Sequence, residues 1–345
     1  MTVQRQIFHP LNTRSDYMSP LKFGTEFLYD VGKEISRPDK LFFDYECEDD
    51  AAIFNEIGNT HNGISFLRIW GYSGNDINLD IVKRTPIFDE NFSSLCHLHE
   101  LEEIDINCIP FKGNGLRFLS SKKLHRIDIS KCAIEDEFFS SLSHLIHLRS
   151  LNVNNFFHTL VSPDLGHLSH NRALVSCDFT GCYLPDKSFD NFPELPKLEW
   201  LVLENNNVSG ENFHFLAHLP KFDSLSLHSC PLTAKGIEVI SQNAGQKLTS
   251  LSLMNCPNAC DDWIPILSTM KQVKDLYLKN AHITDVALPY FQTMKNLEYL
   301  TLDGTNISLD ACKTLHETCP RMTISLPNGK QITSKRQKRI ERENR

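Results

Sequence analysis

The run Leu248-Thr249-Ser250-Leu251-Ser252-Leu253-Met254-Asn255-Cys256-Pro257-Asn258 carries two patterns at once. Leu251 and Leu253 alternate with Ser250 and Ser252, the period-two signature of a short strand with one buried face. Three residues beyond the last leucine stands Cys256, a small side chain where the chain must turn away from the strand. The same opening recurs as Leu101-Glu-Glu-Ile-Asp-Ile106, Leu124-His-Arg-Ile-Asp-Ile129, Leu148-Arg-Ser-Leu-Asn-Val153 and Leu174-Val-Ser-Cys-Asp-Phe179. It returns as Leu198-Glu-Trp-Leu-Val-Leu203, Phe222-Asp-Ser-Leu-Ser-Leu227, Val273-Lys-Asp-Leu-Tyr-Leu278 and Leu297-Glu-Tyr-Leu-Thr-Leu302. Successive starts lie 23, 24, 26, 24, 24, 26, 25 and 24 residues apart. A repeat of that length is one supersecondary unit that buries its apolar face only by stacking on its neighbours.

A second apolar set follows each strand at helical spacing, as in Phe213/Leu216/Leu219, Ile237/Ile240 and Leu288/Phe291, and predicts a return by helix. Because strands pack closer together than helices, such a stack is expected to bend, with strands concave and helices convex. The turn position holds Cys132, Cys182, Asn206, Cys230, Cys256, Ala281 and Thr305, side chains expected to sit under the turn against neighbouring backbone. With these residues in place the chain resembles the leucine-rich-repeat superfamily, in particular its cysteine-containing type. Copies such as His282-Ile-Thr-Asp-Val-Ala-Leu288 look like the Ile-Thr-Asp repeats of bacterial members. The resemblance covers about residues 38 to 326 and implies an α/β solenoid, a curved horseshoe, and no particular activity.

Outside the regular copies of 101–326 the pattern weakens. Residues 1–37 match no repeat and are expected to form an N-terminal cap. Residues 38–100 read as divergent first repeats, with strands at Leu41–Tyr45 and Ile64–Ile69, an insertion, and a helix from Asp89 to His97. Met322–Leu326 reads as the last strand and Pro327-Asn328-Gly329 as the end of the series, leaving 327–345 as a basic tail, free or loosely helical.

Composition narrows the function. At 41% hydrophobic and 23% charged the chain has ample core material, and no apolar run is long enough to span a bilayer. No leader is read in the first thirty residues, and eleven cysteines recurring at one repeat position suit reduced thiols, so a cytoplasmic location is expected. The net charge is −8, with residues 330–345 contributing +5 and the remainder −13. An acidic body favours a basic protein partner and repels phosphates. The tail run Lys335-Arg336-Gln337-Lys338-Arg339 offers a nucleic-acid alternative, weakened by the lack of interleaved aromatics.

The third, fifth and seventh residues of each copy should point out of the sheet. Read along the stack they give exposed large side chains at Trp200, His228, Met254, Tyr277 and Tyr299, with Glu204, Asp275 and Asp303 beside them. Ser224, Ser226, Ser250 and Ser252 are expected to leave a shallow depression between. An acidic rim of Glu103, Asp105, Asp128 and Asp178 precedes this cluster. Exposed aromatics beside charge are the makings of an interface hot spot. Histidines recur four residues before a strand at His97, His144 and His218, with His167 in a longer copy, and read as products of duplication rather than metal ligands. Gly113-Asn114-Gly115 lacks the third glycine and the lysine of a phosphate loop and reads as a turn, while Cys256 and Cys260 read as turn residue and packing. Neither His-Glu-x2-His nor Gly-x-Ser-x-Gly occurs. The expectation is a non-catalytic scaffold, without cofactor or small-molecule substrate, that holds a protein on its strand face. The alternative is a substrate-recognition arm of a ligase or a secreted effector.

Overall fold

The computed structural model describes residues 40–45, 59, 63–71, 89–109, 111–154, 160–161 and 163–333. The expected cap at 1–37, most of the insertion and the tail beyond 333 lie outside them. Thirteen strands form one sheet in strict chain order. They are β1 (Lys40–Tyr45), β2 (Phe66–Gly71), β3 (Glu103–Asn107), β4 (Arg126–Ser130), β5 (Ser150–Asn154), β6 (Ser176–Asp178) and β7 (Trp200–Val202), followed by β8 (Ser224–Ser226), β9 (Ser250–Ser252), β10 (Asp275–Tyr277), β11 (Tyr299–Thr301), β12 (Thr323–Ser325) and β13 (Gln331–Ile332). From β1 to β12 every pairing is parallel and in register with the repeat, Leu251 beside Leu225 and Leu276. A parallel sheet whose neighbours are always consecutive, each joined by one return segment, is the leucine-rich-repeat solenoid.

The core runs the length of the sheet. Leu67, Ile104, Ile127, Leu151, Leu201, Leu225, Leu251, Leu276 and Leu300 are all buried, as are the residues two further on, from Ile69 to Leu302. Each such side chain contributes about 1.5–3 kcal/mol on burial, so the interior is an apolar column two residues wide per repeat. Aromatic rings fill the return layer at mid-stack: Phe189 lies 5.3 Å from Phe213 and 5.5 Å from Phe215, and Phe192 lies 4.5 Å from Phe215.

The returns depart from expectation. The Ile237/Ile240 pattern gives a true α-helix, Ala234–Ala244, and another spans Leu309–Thr318. The Phe213/Leu216/Leu219 pattern instead gives a 3-10 turn pair at Phe213–His218, and Leu288/Phe291 a four-residue helix. Asp89–His97 is 3-10 throughout, and Gly113-Asn114-Gly115 opens a 3-10 segment at Asn114–Phe118 instead of a simple turn. The tighter, faster-rising 3-10 form covers a return with fewer residues than an α-helix needs.

Two ladders bind repeat to repeat. In the first, Cys132, Cys182, Cys230 and Cys256 donate their thiols to carbonyl oxygens of Ile106, Val153, Leu203 and Leu227, one repeat back, at 3.6, 3.2, 3.1 and 3.2 Å. Burial pushes the Cys132, Cys230 and Cys256 thiols up to about 12, so they stay protonated donors. In the second, an acid at the start of one return accepts from the next. The Asp186 carboxylate accepts the Ser209 and Gly210 amides at 2.9 and 3.1 Å, and Asp261 accepts the Thr284 amide and hydroxyl at 2.9 and 2.7 Å. Asp285 does the same for Ser308 at 2.7 and 2.8 Å.

The series does not end free at Pro327. Gly329, with φ 76°, turns the chain so that β13 pairs antiparallel with β12, Ile324 opposite Ile332. This short hairpin strand covers the edge of β12 that would otherwise present unpaired amides and carbonyls.

Candidate strand-face interface

Parallel register lays the outward residues in straight rows: Glu103, Arg126, Ser150, Ser176, Trp200, Ser224, Ser250, Asp275 and Tyr299 are consecutive lateral partners. Neighbouring strands are about 4.8 Å apart, so residues separated by one repeat in sequence touch.

The rim of carboxylates is not a row of free charge. Asp105 is 8% exposed and takes the Arg68 guanidinium at 2.8 Å. Asp128 takes Arg126 at 2.7 Å and also accepts from the Asn152 amide. Glu103 faces His125 at 3.9 Å. Burial raises the Asp105 carboxyl, with Arg68 opposing. Asp105 and Asp128 therefore correct the expected solvated rim: Arg68 in the adjacent strand offsets the first, and Arg126, two residues earlier in the same strand, the second. Asp178 has no such cation among the described residues. Its carboxylate accepts the Thr180 amide and hydroxyl at 2.9 and 2.6 Å, yet burial, with Glu204 and Asp128 adding repulsion, pushes it up to about 6.

That shift makes a signed prediction. The folded chain holds the Asp178 proton more tightly than the unfolded chain, whose value is near the ordinary 3.8. The associated stability is full below about pH 4 and lost as pH climbs through 6. Asp178→Asn keeps an oxygen for Thr180 and removes the charge. It should match the parent at pH 4 in urea unfolding and exceed it by about 2 kcal/mol at pH 7.5. A gain of equal size at both pH values would remove buried charge as its cause.

Toward the C-terminal half the face changes character. Glu204 accepts the Ser226 hydroxyl at 2.7 Å and lies 3.7 Å from His228 Nδ1. The other His228 nitrogen pairs with the Asn255 amide, and Asn255 in turn accepts from Asn280 at 2.6 Å. Asn255 and Asn280 follow their strands in left-handed backbone, φ 55° and 60°, which short polar side chains tolerate better than most. A polar lattice thus crosses four repeats. The rings of Tyr277 and Tyr299 lie 5.6 Å apart, and the Tyr299 hydroxyl accepts from Gln331 at 3.3 Å.

Burial corrects part of the sequence reading here. Met254 is 5% and Tyr277 6% exposed, so neither is an open contact; both are buried within the row. Ser224, Ser226 and Ser252 are buried as well, so no open depression runs between them, although Ser250 is partly exposed. The alternation of side chains fixes direction, but close lateral spacing lets large neighbours cover one another. What remains accessible is Trp200, Glu204, His228, Asp275, Tyr299 and Asp303, all partly exposed. The side chain of Trp70, in the seventh column, is outside the described set.

On the strand face Ser226 gives its hydroxyl hydrogen bond to Glu204, and both His228 nitrogens face partners. Among the described residues no three His, Cys, Asp or Glu side chains gather to hold a metal ion. His97, His144, His167 and His218 are exposed along the returns, His144 contacting the Leu119 carbonyl at 2.7 Å.

The chain has a leucine-rich-repeat fold, and that assignment rests on its repeat geometry. No family model and no curated protein matches it. Among solved structures it is similar to an internalin (InlF) of Listeria monocytogenes, with TM-score 0.47 and 16% identity over 78% of this chain and 75% of that one. It is also similar to the Toll–Spatzle complex of Drosophila, with TM-score 0.41 and 15% identity over 78% of this chain and 40% of that one.

Proposed function

We propose that this chain is a non-catalytic scaffold that binds a protein on its strand face between β7 and β11. The observation that carries the reading is the accessible set Trp200, Glu204, His228, Asp275, Tyr299 and Asp303, aromatics flanked by acids on one continuous sheet. Glu204 and His228 are already fixed by cross-strand contacts, so ordering them on binding costs little. The partner is basic where it meets Glu204, Asp275 and Asp303. The thiol ladder supports a reducing, cytoplasmic setting, since a disulfide would take away donors that neighbouring repeats use. It also supports the cysteine-containing repeat type, and the Ile283-Thr284-Asp285 run the Ile-Thr-Asp type.

The test is quantitative capture with wild type and with Trp200→Ala/Tyr299→Ala, followed by titration of the recovered partner. Loss of two hot-spot aromatics should weaken binding roughly 30-fold or more. A partner that binds both forms within twofold, with the variant folded, would sink the reading.

A further inference from the structure

Charge recurs at two places in the repeat. Acids such as Asp186, Asp261 and Asp285 stand where returns begin and serve the ladder already described. Where a return ends and the next strand starts, acids such as Glu199, Asp223 and Glu298 are mixed with cations. Several are spent on the carbonyl ends of returns: the Lys247 ammonium contacts the carbonyls of Leu216 and Leu219 at 2.6 and 2.8 Å, and Lys295 that of Gln292 at 2.8 Å.

Nearer the N-terminus the pattern differs. Lys122, His147, Arg149 and Lys197 line a groove of about 450 Å³ at the starts of β4 to β7 and have no ion pair among the described residues. Of the other lining groups, Lys123 is held by Glu100, Glu102 is the one carboxylate and Ala173 the one apolar side chain. The amides of His125, Arg149, Val175 and Glu199 along this edge are all given to the carbonyl one repeat back, at 2.8 or 2.9 Å. Side-chain cations are thus the groove's recognition elements, spread over four repeats with strand steps of about 4.8 Å. Its lining has no Phe, Tyr or Trp on which bases would stack and no large apolar side chain to seat a protein hot spot.

We propose that this groove binds a compact ligand carrying two or more phosphate or sulfate groups, held by Lys122, Arg149 and Lys197 with His147 alongside. The site is separate from the strand face and does not depend on it. Arginine supplies paired donors that match a tetrahedral oxyanion, and the two lysines supply point charges at either end.

Calorimetric titration tests this with inositol hexakisphosphate for the phosphate source and a heparin tetrasaccharide for the sulfate source, with inorganic phosphate as the single-anion comparison. One polyanion or both should bind saturably at 50 mM salt and weaken roughly tenfold at 200 mM. The tighter of the two identifies the source. Arg149→Glu/Lys197→Glu should cost roughly 30-fold or more in affinity, whereas Lys274→Glu/Arg321→Glu, the same charge change at exposed positions farther along the edge, should cost less than about threefold. No saturable binding of either polyanion at low salt would overturn the proposal. Equal losses in the two double variants, or inorganic phosphate binding as tightly as the polyanions, would do so too.

Discussion

Gly236→Ala is expected to destabilise the chain by about 3 kcal/mol or more, although alanine is the better helix former by about 1 kcal/mol. Gly236 is buried in the first turn of helix Ala234–Ala244, where its amide donates to the Thr233 hydroxyl at 3.0 Å. A Cβ there would lie 2.0 Å from the Ser209 carbonyl oxygen and 3.0 Å from the Gly210 α-carbon. Both obstacles are backbone of the preceding repeat, and the Ser209 carbonyl is fixed by the Thr233 amide at 3.1 Å. No rotamer relieves the clash, so the two repeats must part. Urea unfolding reads the loss. Hydrogen exchange should place the earliest loss of protection at the returns flanking Ser209 and Gly236, because each repeat contacts only its neighbours. Unchanged stability would mean that the close approach of these two returns is not a constraint.

That glycine pair illustrates what the sequence does and does not make legible. Strand positions were plain because leucines at the fourth and sixth places of each copy have one physical reading, and the turn residues from Cys132 to Thr305 shared one place in the repeat. The return form was not plain: Phe213/Leu216 and Ile237/Ile240 have the same spacing, yet the first is 3-10 and the second α, and copy length does not decide it, because the 26-residue copy from Leu148 also returns by a 3-10 segment. The acid ladder went unread because an aspartate before a helix looks like a solvated cap for its own segment. Its signal was recurrence, with Asp186, Glu211, Asp261 and Asp285 at matching places in their copies. On the strand face, alternation gave the direction of Met254 and Tyr277 but said nothing of lateral cover, which depends on neighbours about 25 residues away in sequence.

Contacts within the sheet also bear on where the proposed binding surface lies. Arg68 and Arg126 quench Asp105 and Asp128 within the sheet, so the first strands offer a partner little uncompensated charge. Beyond β7 the acids Asp275 and Asp303 are partly exposed beside the partly exposed Tyr299.

Asn206 is where the turn ladder bears most. It stands at the place that Cys182 and Cys230 hold in neighbouring copies, but it satisfies more groups: its amide donates to the carbonyls of Phe179 and Glu204 at 2.8 and 3.3 Å, and its oxygen accepts the Leu184 amide at 2.8 Å. It is 3% exposed, so water does not replace what is lost. Asn206→Leu should therefore cost about 3 kcal/mol, from the unpaired Leu184 amide and Phe179 carbonyl at about 1–3 kcal/mol each. Asn206→Cys should recover roughly a third to a half of that, because a thiol at this place can reach the carbonyl one repeat back, as Cys230 does at 3.1 Å, while leaving the Leu184 amide unserved. Chemical denaturation of the three proteins under reducing conditions measures both differences. If the cysteine and leucine variants unfold together, the thiols at 132, 182, 230 and 256 are packing only, and the inter-repeat carbonyl bonds contribute nothing measurable.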